Sequence, residues 1–143
     1  MSILIGIDPG EHTGFAVWNT GRMQFDEVCT LSLIRAVDRV RELRDLYGWE
    51  NIKVVFEDAR QRKWFPREKN VSEYRGKLMG AGAAKRDARI WEEFLTDYGI
   101  PFTAHKPQAG GTKWSADYFA QVTGWTGRTS EHARDAALLV YGR

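Results

Sequence analysis

Cysteine is all but absent from this chain. Cys29 stands alone, which excludes a disulfide framework and a thiolate-held metal. Long apolar runs are missing as well. Nothing approaches the about 18 consecutive apolar residues that a membrane-spanning helix needs, and Asp8 interrupts the short stretch Ile3-Leu4-Ile5 before it could serve as a secretory leader. Proline is scarce, with four in 143 residues, and no repeat or low-complexity linker divides the chain. Charge of either sign is not in global excess, since the net is +2. These absences leave one domain over residues 1–143 with a cytoplasmic location, and a 43% hydrophobic content is enough for one real core.

The small net charge hides a lopsided distribution. Arg60 to Arg89 holds ten basic residues (Arg60, Arg62, Lys63, Arg67, Lys69, Arg75, Lys77, Lys85, Arg86 and Arg89) against Glu68, Glu73 and Asp87, a net of +7. The rest of the chain is therefore at −5. A basic segment beside an acidic remainder suits a polyanion, although a solvated helix face and loop would carry the same charges.

Pattern and punctuation give an ordered series of elements. Ser2–Asp8 reads as a buried strand closed by the turn signal Pro9-Gly10. Thr13–Trp18 and Met23–Thr30 are rich in strand formers and joined around Asn19-Thr20-Gly21, so the first three strands form an antiparallel meander. Leu33, Ile34, Val37, Val40, Leu43 and Leu46 recur at helical spacing between Ser32 and Tyr47, and Gly48 stops that helix. Lys53–Glu57 is a short strand, and Arg60–Asn70 with Pro66 reads as a loop. Val71–Tyr98 is helical and ends at Gly99. Phe102–His105 is a strand, Lys113–Val122 a helix, and Ser130–Tyr141 a last helix with Ser130 as its N-cap.

Three acidic signals fall at matched places in this order. Asp8 closes the first strand, Glu57 closes the fourth, and Asp135 lies on the last helix with His132 three and Glu131 four residues before it. Carboxylates gathered from distant parts of a chain repel one another, and a divalent cation is the usual reason for keeping them together. Each has a plainer reading. Asp8 could cap the Asp-Pro-Gly turn. Asp135 could sit solvated at the edge of its helix's apolar stripe. His132 could be a surface residue at a helix start, and Glu131 suits the helix dipole better than a ligand shell. Glu57 and Asp58 are neighbours, so strand alternation admits only one of them to such a site. Asp58 reads as a loop cap or surface charge. His12 and His105 have no partner visible in the sequence and default to structure.

Gly6-Ile7-Asp8-Pro9-Gly10 with Thr13-Gly14, Phe56-Glu57, and His132-Ala133-Arg134-Asp135-Ala136 together resemble the motifs of RuvC-type Holliday junction resolvases, and the element order resembles the same family's ribonuclease H-like fold. The turn after Asp8 is shorter by one residue than in the usual bacterial members. The chain is also short, as in the phage-encoded branch, and the basic stretch before the third helix is reduced to Lys106 and Lys113. The resemblance implies an α/β fold with a mixed five-stranded sheet, three strands antiparallel and then two parallel, flanked by helices. It implies a homodimer in a bacterial or phage-infected cell, and the Gly and Ala residues of the helix from about Val71, which permit close helix approach, make that helix the expected dimer surface. The implied activity is cleavage of four-way or other branched DNA, leaving 5′-phosphate and 3′-hydroxyl ends, with no organic cofactor and no membrane partner.

The ligand and catalytic set that follows is Asp8, Glu57, His132 and Asp135, holding two Mg²⁺ ions (Mn²⁺ substituting) about 4 Å apart. Asp8 would bridge the pair, Glu57 complete one ion, and Asp135 with His132 the other; imidazole suits Mn²⁺ better than Mg²⁺. DNA would be held by Arg60, Arg62, Lys63, Trp64, Phe65, Arg67, Lys69, Arg75, Lys77 and Lys113. Within that set, Trp64-Phe65 could stack on unpaired bases or wedge a base step, or merely pin the loop to the body. Three other readings compete. A nucleotide-binding protein of the actin and sugar-kinase type opens with a similar strand and turn but needs a second copy of the domain. A non-catalytic branched-DNA binder would have little reason to keep self-repelling acids. A nuclease of the same superfamily could act instead on flaps or RNA–DNA hybrids.

Overall fold

Alternation along the first strand decides the layout. In β1 (Ile3–Asp8) the side chains of Ile3, Ile5 and Ile7 are fully buried in one apolar cluster, while Leu4, Gly6 and Asp8 face the other side. The computed structural model describes residues 2–62, 71–107 and 113–143; within 71–78 it describes the backbone and, of the side chains, Arg75 alone.

Around β1 lie β2 (His12–Asn19), β3 (Gln24–Ser32), β4 (Ile52–Glu57) and β5 (Phe102–His105), in the spatial order β3-β2-β1-β4-β5. The pairs β1–β2 and β2–β3 are antiparallel, and β1–β4 and β4–β5 are parallel. This is the mixed five-stranded α/β sheet, three strands antiparallel and then two parallel, expected from the sequence. The physical reason is visible in the connections. Short turns can join only antiparallel neighbours, whereas each parallel pair is separated by a helix long enough to cross the sheet.

Helices α1 (Leu33–Tyr47) and α2 (Val71–Asp97) cover one face. Ala36, Val40 and Leu43 of α1 and Ala88, Trp91, Phe94 and Leu95 of α2 close the first cluster with Ile52, Val54 and Phe56 of β4. Trp91 is wholly buried there, and its truncation to Ala would cost about 3–5 kcal/mol. Helices α3 (Ala116–Thr123) and α4 (Glu131–Leu138) cover the opposite face, where Phe119, Ala133, Ala136, Ala137 and Val140 pack on Ala16, Trp18, Phe25, Val28 and Val55.

Most element boundaries lie within about two residues of the sequence reading, and two lie further off. The helix expected from Lys113 begins at Ala116, because the Ser115 hydroxyl accepts the Tyr118 amide at 3.1 Å and caps the helix there. The last helix starts where expected, with Ser130 capping Ala133 at 3.1 Å, but its regular part ends at Leu138. The helix assigned to a dimer surface, α2, is exposed at Met79, Gly80, Gly82 and Ala83, and a Cβ added at Gly80 or Gly82 would meet nothing within 4 Å. No described helix is long and apolar enough to cross a membrane.

Candidate functional site

Parallel pairing brings the first two acids together. Ile7 of β1 is in register with Phe56 of β4, so Asp8 and Glu57 end adjacent strands at the same edge of the sheet. Both lie on the face that α4 covers, since Glu57 shares its side of β4 with Val55 while Ile52, Val54 and Phe56 point to the other cluster.

Two glycines bring α4 over that edge. A Cβ on Gly14 would stand 1.9 Å from the His132 carbonyl oxygen, and one on Gly6 would stand 2.1 Å from that of Ala136. Neither is compatible with a side chain, so the helix backbone lies directly on β1 and β2. Ala133, Ala136 and Ala137, all fully buried, complete the close approach from the helix side. Thr30 and Ser130 tie the start of α4 to β3 through a 2.5 Å hydroxyl pair. As a result, His132 Nδ1 comes within 3.1 Å of Asp8 Oδ2. Hydrogen-bonded there, the ring offers Nε2 as its remaining nitrogen.

The electrostatics are those of crowded carboxylates. Asp8 has its pKa raised, first by burial and then, against the lowering hydrogen bond from His132, by the charge of Asp135. Glu57 is raised by burial and by the charges of both Asp8 and Asp135. Three acids from three distant segments thus share one field. Positive charge reaches Glu57 from Lys113 and, more weakly, from Arg62. The Lys113 ammonium lies 2.6 Å from Asp135 Oδ2 and 3.6 Å from Glu131.

The donor chemistry fits divalent cations, because carboxylate oxygens suit Mg²⁺ and Mn²⁺ and an added imidazole favours Mn²⁺. The placement does not form a closed ligand set. Among the described residues no three His, Cys, Asp or Glu side chains converge closely enough to hold an ion, and Asp135 is turned to Lys113.

Asp58 goes elsewhere. Alternation sends it to the α2 face, where it is 4% exposed. It accepts the Arg60 amide at 3.0 Å, capping the turn Ala59–Gln61, and receives the Arg60 guanidinium at 2.8 and 2.9 Å. Arg60 lowers its pKa through their hydrogen bonds and also reaches Glu92 on α2. The sequence reading of Asp58 as a loop cap holds, although it is buried and not a surface charge. Arg60, counted among the DNA contacts, has its guanidinium shared between two carboxylates of its own chain.

The remaining DNA-contact residues divide. Arg62, Arg75 and Lys113 are exposed. Lys63, Trp64, Phe65, Arg67 and Lys69, and the side chain of Lys77, lie outside the described residues. His105 is held locally, its Nδ1 at 2.7 Å from the Lys106 carbonyl. Two residues of the site carried no such signal. Lys113 was read as a phosphate contact, not as a neighbour of Asp135. Arg134 braces the region by donating from Nε to the Trp114 carbonyl at 2.9 Å and from Nη1 to the Thr129 carbonyl at 2.7 Å. Its place between His132 and Asp135 gives no hint of that.

No protein-family model matches the chain, and neither does any curated protein.

Proposed function

We propose that the protein is a metal-dependent endonuclease that cuts branched DNA, four-way junctions foremost. The observation that carries the reading is the pairing of Asp8 and Glu57 at one sheet edge within the charge field of Asp135 on α4, with His132 hydrogen-bonded to Asp8. Burying acids that raise one another's pKa costs stability in the metal-free protein, and a site of this kind is retained for what it binds.

Asp8, Glu57, Asp135 and His132 are the residues that would hold Mg²⁺ or Mn²⁺. Bound there, two such ions would supply Lewis acidity, making water nucleophilic at neutral pH and offsetting the charge that develops on a phosphodiester. The chain's own contributions are separate. Burial of Asp8 and Glu57 keeps their oxygens in a low dielectric, where their charge acts strongly on a cation. The hydrogen bond to Asp8 fixes the His132 ring and leaves Nε2 for one of two roles, ligand to the ion or acceptor of a proton from water at the phosphate. Arg62 and the basic segment that follows it would hold the neighbouring backbone phosphates by charge. A homodimer would present two such edges to the two strands of a junction.

The test is a gel assay on a synthetic four-way junction, a linear duplex and an RNA–DNA hybrid, each with and without Mg²⁺ or Mn²⁺. Cation-dependent paired nicks in the junction, with the duplex spared, are expected. Cation-dependent cutting of the hybrid in preference to the junction would move the protein to a different nuclease class. Junction binding with no cleavage under either cation would make it a non-catalytic binder.

A further inference from the structure

Among the described residues, Lys113 is the cation paired with Asp135. Lys113 Nζ stands 2.6 Å from Asp135 Oδ2 and 3.6 Å from Glu131, and its charge also reaches Asp8 and Glu57. The ammonium therefore acts on all three acids of the site. Its position is braced. Lys113 immediately precedes Trp114, whose carbonyl is held by Arg134, a residue on the same helix as Asp135. Arg134 thus ties the backbone beside Lys113 to the helix that carries Asp135. The Lys113 side chain is 61% exposed and that of Asp135 is 21% exposed. An ion pair this open contributes little to stability. Its consequence lies in what it withholds, because Asp135 turned to Lys113 does not converge with Asp8 and Glu57 on a common ion.

Resting on the cation site proposed above, we propose that Lys113 is a built-in countercation that competes with divalent ions for Asp135 and is displaced when they bind. It neutralises the acids in the metal-free protein, and it sets the concentration of divalent ion at which Asp135 is recruited.

Two measurements decide this without recourse to activity. The first is calorimetric titration of Mn²⁺ into the parent, Lys113→Met and Asp8→Asn. The proposal expects Lys113→Met to bind Mn²⁺ about tenfold more tightly than the parent, because a positive charge beside the ligand oxygens is gone. Equal or weaker binding by Lys113→Met, with parent binding intact and lost in Asp8→Asn, overturns the competition and leaves the metal site standing. Absence of Mn²⁺ binding from both parent and Lys113→Met overturns the metal site and the competition together. The second measurement uses the parent alone and so does not depend on the variant's folding. Acetylation of Lys113 by an amine-reactive ester, followed by mass spectrometry, should become several-fold faster when Mg²⁺ is added, as the amine is released from Asp135. An unchanged or slower rate at Lys113 under saturating Mg²⁺ overturns the proposal.

Discussion

Glu57 and Asp58 are consecutive carboxylates at the end of one strand, yet they sit in opposite electrostatic worlds. On the α2 face, Asp58 meets a guanidinium, a backbone amide and a turn that it caps, and its pKa is lowered. On the α4 face, Glu57 meets burial and two further acids, and its pKa is raised. One face of the sheet edge has solved its charge problem within the chain, and the other has only the partial answer of Lys113, which leaves Asp8 and Glu57 with raised pKa values. The difference teaches where an external cation has work to do. A carboxylate already satisfied by its own protein is part of the scaffold, and one left in the field of other carboxylates has spare charge for a ligand.

The largest expected effect separates the two faces by chemistry. Asp8→Asn should lower junction cleavage by about a hundredfold to a thousandfold, the scale of losing one charge-stabilising group at a reacting centre, with binding retained because no basic contact is touched. Asp58→Asn in the same assay should cut nearly as fast as the parent per folded molecule. Cleavage by Asp8→Asn at the parent's rate would erase the distinction between the faces. Next in size is His132→Ala, which should slow cleavage by about tenfold to a hundredfold, in the range of an orienting partner of a ligand. His132→Asp should recover part of that loss and alter the relative rates with Mg²⁺ and Mn²⁺. Parent-like rates in both variants would return His132 to a surface role.

Gly14→Ala sharpens the comparison from the packing side. Its methyl would collide with the His132 backbone, so α4 must lift from the sheet at a cost of about 1–3 kcal/mol. The acids should move apart with it, so circular dichroism melting and cleavage should both suffer, while the Asp58–Arg60–Glu92 network on the far face is untouched. A variant as stable and as active as the parent would show that the close approach of helix and sheet is dispensable.

Much of this was legible in the sequence because it rests on local rules. Short apolar runs put Asp8 and Glu57 at strand ends, and period-two alternation separated Glu57 from Asp58. Helical spacing found α1, and Ser130 announced the start of α4. What was not legible is contact across long separations. That Gly14 must be a glycine because the His132 carbonyl lies on it is a fact about residues over a hundred positions apart. Lys113 reaches Asp135 across 22 residues, from the segment before the Ser115 cap and beside the Trp114 carbonyl that Arg134 holds. Arg60 carried a strong basic-loop signal that the structure spends largely on Asp58 and Glu92. Composition counts charges but cannot say which of them are already paired.

The smallest effects come from stability against pH, where the two neighbours should move in opposite directions. Asp58 has a lowered pKa in the folded state, so its contribution is present above the ordinary carboxylate range and is lost as pH falls through its folded value. At neutral pH, Asp58→Asn should therefore destabilise by about 1–2 kcal/mol, the cost of breaking a buried charged hydrogen bond. Glu57 has a raised pKa, so stability falls as pH rises from the ordinary carboxylate range through its folded value.

The most direct measurement is thermal unfolding of the parent, Glu57→Gln and Asp58→Asn at neutral pH, in chelator and in millimolar Mg²⁺ or Mn²⁺. In chelator, Glu57→Gln should melt slightly above the parent and Asp58→Asn below it. The divalent ion should raise the midpoints of the parent and of Asp58→Asn but not that of Glu57→Gln. A parent midpoint that neither ion moves, or a Glu57→Gln protein that melts below the parent in chelator, would contradict the claim that this edge of the sheet is a cation site.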